Sequence, residues 1–495
     1  MIRLLSTVVL QGLLALAVAG CALPSRAPQA PDAGASAPPP LDLAAKFRVP
    51  REGKKRDRAA VSAEFHLAME ADEEGPPRAH QLFRAQAQRE ALVRESSRTD
   101  LPKAAGLQPS QWQALGPANV GGRVRSIAVD PRNANRLFAG TASGGIWLTE
   151  NAAVTWRAIF DFLPNLSVTT IVFDPANSDV LYLGTGEASQ GLVGVGVFKS
   201  TDGGLTWRHL AATNTDANAD WRFVNRLAIH PTQPQVLLAG VTNTTRTTGG
   251  IYRSTDGGTT WTRAAAFKAL DIVFDPNNPA NAVAGLDDGT IAYSRDAGLT
   301  WVRTSPLVAT PSGRGSTARA EIAFARSQPG RVYASVDNAK GEAWSSDDAG
   351  ATWALLSTPA HLNLQGDYDN AIWVDPTDAT HVVVGGLDLY QSRDAGLTFS
   401  KVSDWRYAPD SPHADHHAIV AAPGFGAGNY VVYNGNDGGV YRAANIYAVD
   451  GAPSGNGWTH MNNGLAVTQF YSGAGRTAAG ARVFGGTQDN GSLRL

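Results

Sequence analysis

Lys199-Ser200-Thr201-Asp202-Gly203-Gly204-Leu205-Thr206-Trp207 decides how this chain is laid out, because the stretch recurs. Close copies run from Ser254 to Trp261, Ser294 to Trp301, Ser346 to Trp353 and Ser392 to Phe399. A degenerate copy, Thr149-Glu150-Asn151-Ala152-Ala153-Val154-Thr155-Trp156, precedes them all, and a seventh survives as Gly457-Trp458-Thr459. The aromatic position falls at 156, 207, 261, 301, 353, 399 and 458, so successive copies lie 40 (261 to 301) to 59 (399 to 458) residues apart. A period of that length belongs to repeat folds such as propellers.

Each repeat has the same inner order. A first apolar strand ends in Asp-Pro, as in Ser126-Ile127-Ala128-Val129-Asp130-Pro131 and Thr170-Ile171-Val172-Phe173-Asp174-Pro175. Proline ends it because it has no N–H for the ladder. A second strand follows, such as Val180-Leu181-Tyr182-Leu183-Gly184, then a third, such as Gly250-Ile251-Tyr252-Arg253. The S-x-D-x-G-x-T-W turn then leads into a short fourth strand. Four antiparallel strands per repeat predict an all-β fold, a β-propeller of four-stranded blades.

Seven complete repeats run from Gly121 to about Leu465. An eighth begins at Val467-Thr468-Gln469-Phe470-Tyr471, continues through Gly485-Gly486-Thr487-Gln488-Asp489-Asn490, and has no turn of this type. Trp112-Gln113-Ala114-Leu115 reads as a fourth strand without a blade. Joining the two closes a ring of eight blades with no open edge. Seven blades with a residual segment is the alternative, and continuation of the natural chain beyond Leu495 is a third.

The turns resemble Asp-boxes, also called BNR repeats, over about residues 111–495. The resemblance implies that each Asp caps backbone N–H groups of its own turn, that the glycines take positive φ, and that each Trp packs between blades. Asp202, Asp256, Asp296, Asp348 and Asp394 are therefore read as structural, not as catalytic carboxylates.

The 495 residues carry a net charge of −2, which leaves no polybasic signal for nucleic acid. Residues 1–20 read as a secretion signal, with Arg3 before an apolar run too short to span a membrane. Val18-Ala19-Gly20-Cys21 resembles the bacterial lipoprotein box, and Cys21 is the only cysteine, so no intrachain disulfide exists. Lipidation at Cys21 implies a membrane anchor; Ala22, rather than Asp, implies the outer membrane by Gram-negative sorting rules. Residues 21–50 read as a flexible tether rich in Pro and Ala. Residues 51–110 form a charged, partly helical linker in which Phe83, Ala87 and Ala91 make a weak stripe.

Strand order places the strand 2–3 loops and the blade-to-blade entries on the rim opposite the aspartate turns, where a site is to be sought. That rim reads as acidic. Glu187, Asp287, Asp288, Asp337, Asp388, Asp437 and Asp489 stand in the loops, and Asp271, Glu321, Asp367 and Asp369 at the entries. Such a ring suits a cation, a basic partner or a polyol sugar; solvated turn carboxylates are the plain alternative. In His413-Ala414-Asp415-His416-His417, extended alternation puts His413, Asp415 and His417 on one side, a candidate divalent-metal set with Asp437 as a further ligand. Hydrogen-bonded histidines at the channel mouth are the alternative.

Three relatives of the Asp-box type bear on function. Sialidases need an arginine triad and an Arg-Ile-Pro segment, which Val124-Arg125-Ser126-Ile127 does not supply. Two-propeller xyloglucan-degrading glycosidases, which the chain is similar to in style, carry one catalytic Asp in Thr-Asp-x-Gly-Gly. The matching Thr141-Ala142-Ser143-Gly144-Gly145 has Ala142 there. Asp437, in Asn436-Asp437-Gly438-Gly439, matches the second acid loosely, and inverting hydrolysis needs both. Sortilin-type receptor propellers bind peptides and proteins, but their cysteine-rich modules are absent here. The expectation is a non-catalytic, envelope-tethered propeller that binds a protein, peptide or glycan on the rim opposite the Asp-boxes. The alternative is a glycan-active hydrolase or lyase using rim carboxylates, with Asp437 the candidate catalytic residue.

Overall fold

The computed structural model describes residues 78–96, 116–243, 248–304, 318–476 and 482–494. The signal, Cys21, the tether, most of the linker and the Trp112–Leu115 segment lie outside these residues.

The described chain is all-β apart from one helix and short single turns, and forms eight antiparallel sheets. Seven have four strands in sequence order, and the eighth has three among the described residues. The innermost strands of blades 1 to 7 are Val124–Asp130, Val168–Phe173, Phe223–Ile229, Ala269–Phe274, Ala320–Phe324, Ala371–Val374 and His416–Ala421. Each packs on the next, and His416–Ala421 packs on Val124–Asp130, so blades 1 to 7 close the circle between themselves. A Cβ on Gly121 would fall 2.1 Å from the Gly438 carbonyl oxygen, so only glycine permits the backbone approach between blades 7 and 1. Trp156 seals the same seam, its indole N–H donating to the Met461 carbonyl at 2.7 Å. The eight expected sheets are present, and the ring closure is that of the seven-bladed alternative. The eighth sheet (Phe470–Arg476, Arg482–Thr487, Ser492–Arg494) follows outside the circle.

The aspartate turns do what their residues dictate. Asp202 accepts from Thr206 N–H at 2.9 Å, from Thr206 Oγ1 at 2.6 Å and from Ser200 Oγ at 2.8 Å. Ser200 Oγ in turn accepts from Gly204 N–H at 2.8 Å. Asp256, Asp296, Asp348 and Asp394 repeat the pattern. Gly203 and Gly204 sit at φ +71° and +81°. In three later copies an alanine takes the first of these positions, Ala297, Ala349 and Ala395, at φ +49° to +61°, a strain the surrounding bonds hold in place.

The helix α1 (Ala79–Ser96) lies against blade 2. Its N–H at His80 donates to Asp216 Oδ2 at 2.8 Å, and Phe83 packs 4.8 Å from the His209 ring. Ala79, Leu82, Phe83 and Gln86 are wholly or partly covered, at i, i+3, i+4 and i+7, while Ala87 and Ala91 are exposed. The expected stripe is thus rotated by one residue: the docked face is set by Phe83 entering the blade, not by the alanines behind it.

Candidate functional site

First strands begin, and second strands end, on the rim opposite the aspartate turns. There the inner strands converge on a buried charged cluster drawn from several blades. Arg123 enters blade 1, Glu187 lies on the strand 2–3 loop of blade 2, and Tyr368 stands at the entry to blade 6. His417 starts blade 7, and Asp437 is on its strand 2–3 loop.

Asp437 is wholly buried and fully engaged. Arg123 Nε donates to its Oδ1 at 3.0 Å and Arg123 Nη2 to its Oδ2 at 2.9 Å, a fork-to-fork pair. His417 Nε2–H donates to Oδ1 at 2.7 Å, and the Tyr368 hydroxyl makes a short bond to Oδ2. Burial pushes the Asp437 carboxyl up, but the Arg123 guanidinium and the His417 bond outweigh it and hold the group well below the usual carboxylate range. His417 is pushed down to about 3 by burial and then by the Arg125 guanidinium, so it is a neutral imidazole. Its Nδ1 accepts from Arg125 Nη1 at 2.6 Å, which fixes the tautomer with the proton on Nε2.

Glu187 faces the same arginines, 3.5 Å from Arg125 Nε and 3.8 Å from Arg123 Nη1. Burial would raise its carboxyl, and Arg125 followed by Arg123 lowers it instead. Asp369 shows the opposite balance. Burial, then the nearby Asp415 carboxylate, pushes it well above the ordinary range. Gln365 Nε2 donates to Asp369 Oδ2 at 2.9 Å and also bonds Asp415 Oδ1. Two carboxyl groups thus share one amide, and burial beside Asp415 favours the protonated form of Asp369.

Three expectations change on these observations. The rim is not a ring of one sign. Asp271 pairs with Arg226 at 2.7 Å, Glu321 with Arg226 and Arg319, Asp287 with Lys268 at 2.6 Å, and Asp388 with Lys401 at 2.8 Å. His413, Asp415 and His417 do not share a side. Asp415 turns left-handed at φ +66° and the strand begins only at His416, so alternation does not apply. His413 Nε2 reaches the Asp489 carbonyl oxygen at 3.1 Å, whereas His417 is engaged by Asp437 and Arg125. Among the described residues no group of three or more His, Cys, Asp and Glu is arranged to hold a metal ion. Asp437, finally, is a locked counter-ion rather than a free acid, and Ala142 is buried, its N–H donating to the Arg123 carbonyl at 3.1 Å.

Sequence reasoning missed the arginines. Arg123, Arg125, Arg226 and Arg319 all stand at or near innermost strands. Charge at those positions of an otherwise apolar strand was the available signal. The inner strands enclose a cavity of about 390 Å³, lined in part by Ser126, Thr170, Arg226, Asp271 and Glu321. At the rim end a smaller one of about 30 Å³ is lined by Arg125, Glu187, Ser189, Arg319 and Asp367.

The fold is a β-propeller of four-stranded antiparallel blades, and parts of the chain are similar to sortilin-type and xyloglucanase proteins. The family model described as "Sortilin, neurotensin receptor 3" matches residues 249–365. The chain is 25% identical to xyloglucanase Xgh74A of Acetivibrio thermocellus over 361 residues, covering 64% of this chain and 42% of that protein. It is 22% identical to a xyloglucanase of Hypocrea jecorina over 378 residues, again spanning 42% of the relative. The chain thus spans less than half the length of these curated relatives. Among solved structures, the GH74 xyloglucanase of Xanthomonas campestris superposes with a TM-score of 0.58 at 21% identity, over 76% of this chain and 59% of that one.

Proposed function

We propose that the chain is a glycan-directed propeller whose ligand lies on the rim opposite the aspartate turns. The observation that carries this is a pair of exposed aromatic residues on the loop between blades 6 and 7, Trp405 at 44% and Tyr407 at 38%. Exposed aromatic rings on a rigid loop suit the apolar face of a sugar ring, because little order is lost when the ring stacks. The loop is well held. Trp405 N–H donates to Asp388 Oδ1 at 2.9 Å, Asp404 accepts from Arg406 N–H at 3.2 Å, and the Arg406 guanidinium lies 5.7 Å from the Tyr407 ring. The xyloglucanase relatives support a glycan as ligand. The test is calorimetric titration of the chain with xyloglucan oligosaccharides. Binding is expected, with at least a tenfold loss in Trp405→Ala/Tyr407→Ala; undiminished binding in that variant refutes the role of this pair.

A second reading, glycan hydrolysis, is favoured by one contrast: burial and Asp415 push the Asp369 carboxyl up while Arg123 and His417 hold Asp437 down, the opposite tendencies that acid–base cleavage of a glycosidic bond uses. Against it, Ala142 offers no acid and Asp437 is saturated by Arg123, His417 and Tyr368. Release of reducing ends from xyloglucan, abolished by Asp369→Asn, would favour hydrolysis; its absence leaves binding as the function. The site is proposed to work at the bacterial outer membrane, held by lipid on Cys21. Loss of metabolic palmitate labelling in Cys21→Ser tests that anchor.

A further inference from the structure

Beneath the hairpin of the eighth sheet lies a set of polar atoms that the fold leaves unfinished. Arg123 Nη1 and Glu187 Oε2 are buried and face each other as an ion pair at 3.8 Å, too far for a hydrogen bond, and neither atom has a hydrogen-bond partner. Neither amide atom of buried Gln488 has one either. Buried polar groups are nearly always satisfied, so such a group marks a place where a water or a ligand atom belongs. A charged donor beside a charged acceptor is the complement of a hydroxyl, which accepts from one and donates to the other.

The hairpin Thr487–Gly491 covers this place through polar contacts. Asn490 Nδ2 donates to the Asp437 carbonyl at 3.0 Å, Asp489 Oδ2 lies 3.6 Å from Arg123 Nη2, and the Asp489 carbonyl oxygen faces His413 Nε2. These are amide, carboxylate and carbonyl groups, for which sugar hydroxyls can substitute. The sheet that carries the hairpin is lightly seated. Phe470 is 48% and Tyr471 52% exposed, whereas the ring's inner strands are largely buried.

We infer that Arg123 Nη1 and Glu187 Oε2 form a subsite for a hydroxyl of a neutral sugar, reached when the Thr487–Gly491 hairpin lifts. The inference rests on the glycan reading above and narrows it. Neutrality follows from the charge count once the hairpin with Asp489 has lifted: Arg123 and Arg125 face Glu187 and Asp437, two against two, while His417 is uncharged. An anionic sugar meets the Glu187 and Asp437 carboxylates there, and a protonated amino sugar meets the Arg123 and Arg125 guanidinium groups.

The experiment is calorimetric titration of the full chain with xyloglucan, galacturonan and chitosan oligosaccharides. It compares the unchanged protein, Glu187→Gln, and the hairpin variant Asp489→Ala/Asn490→Ala, with thermal melts to verify folding. The expected result is preference for the neutral oligosaccharide, a tenfold or greater loss in Glu187→Gln, and a gain of three-fold or more in the hairpin variant. The hairpin variant changes only covering residues, so it decides the matter even where Glu187→Gln fails to fold. Neutral-sugar binding that the hairpin variant leaves unchanged, or that a folded Glu187→Gln retains in full, overturns the subsite and leaves the glycan reading intact. Tighter binding of galacturonan or chitosan overturns its neutrality. Binding of none of the three by any variant overturns the glycan reading itself.

Discussion

Replacing Arg123 with methionine should be among the most damaging single changes to this propeller. Arg123 makes a fork-to-fork pair with Asp437 and lies beside Glu187, all three buried. Methionine keeps much of the stem's volume and removes the charge. Asp437 then keeps only His417 and Tyr368, and Glu187 keeps Arg125 and Ser189. Breaking a buried pair by removing one partner costs about 3–5 kcal/mol. Unfolding entropy near 2.1 cal/mol/K per residue, over roughly 380 residues of ring and eighth sheet, is about 0.8 kcal/mol/K. The melting temperature should therefore fall by about 4–6 °C at pH 7. Calorimetric melts measure it, with Arg157→Met as the control, because the Arg157–Glu150 pair is solvent-exposed and worth at most about 1 kcal/mol. The pH dependence is a second signature. Asp437 is depressed in the folded state, so its stabilisation is present above the unfolded carboxyl value of about 4 and is lost as pH falls towards the folded one. The gap between Arg123→Met and the unchanged protein should narrow below about pH 4. A loss no larger than the control's, or a gap independent of pH, refutes the claim that this cluster is desolvated and mutually dependent.

Other outcomes follow from the same geometry. Asp369→Asn should stabilise the protein at pH 8 and leave it unchanged at pH 3. A carboxyl raised in the folded state costs stability once pH passes its unfolded value, and the amide removes that cost; melts across pH check it. Asp256→Ala should cost about 1–3 kcal/mol in denaturant melts, since the N–H and hydroxyl of Thr260 and the hydroxyl of Ser254 lose their acceptor. Phe83→Ala should free α1 from blade 2, seen as faster tryptic cleavage at Arg84 and Arg89 with the ring still protected.

The site was less legible than the fold, and the reason is distance along the chain. An aspartate turn is complete within eight residues: Asp202, Ser200, Gly204 and Thr206 bond to one another, so a local pattern is enough to recognise it. The rim carboxylates were visible as residues, but their partners were not. Arg123 meets Asp437, Arg226 meets Glu321, and Arg125 meets His417, across 314, 95 and 292 residues. The metal reading failed for a local reason with a distant cause. Alternation requires extended backbone, and Asp415 is left-handed where its loop packs against Gln365 at the entry to the preceding blade.

The sequence by itself determined an all-β propeller, its blade length, its strand order, and the rim on which to look. Those features rest on short-range causes: proline ending a strand, glycine at positive φ, and a carboxylate capping its own turn. Tertiary structure decided that blade 7 closes on blade 1, that the acidic loops are neutralised by arginines from other blades, and that Asp437 is a buried counter-ion. Closure and charge pairing depend on which strands become neighbours in space, and burial then decides which carboxyl groups ionise.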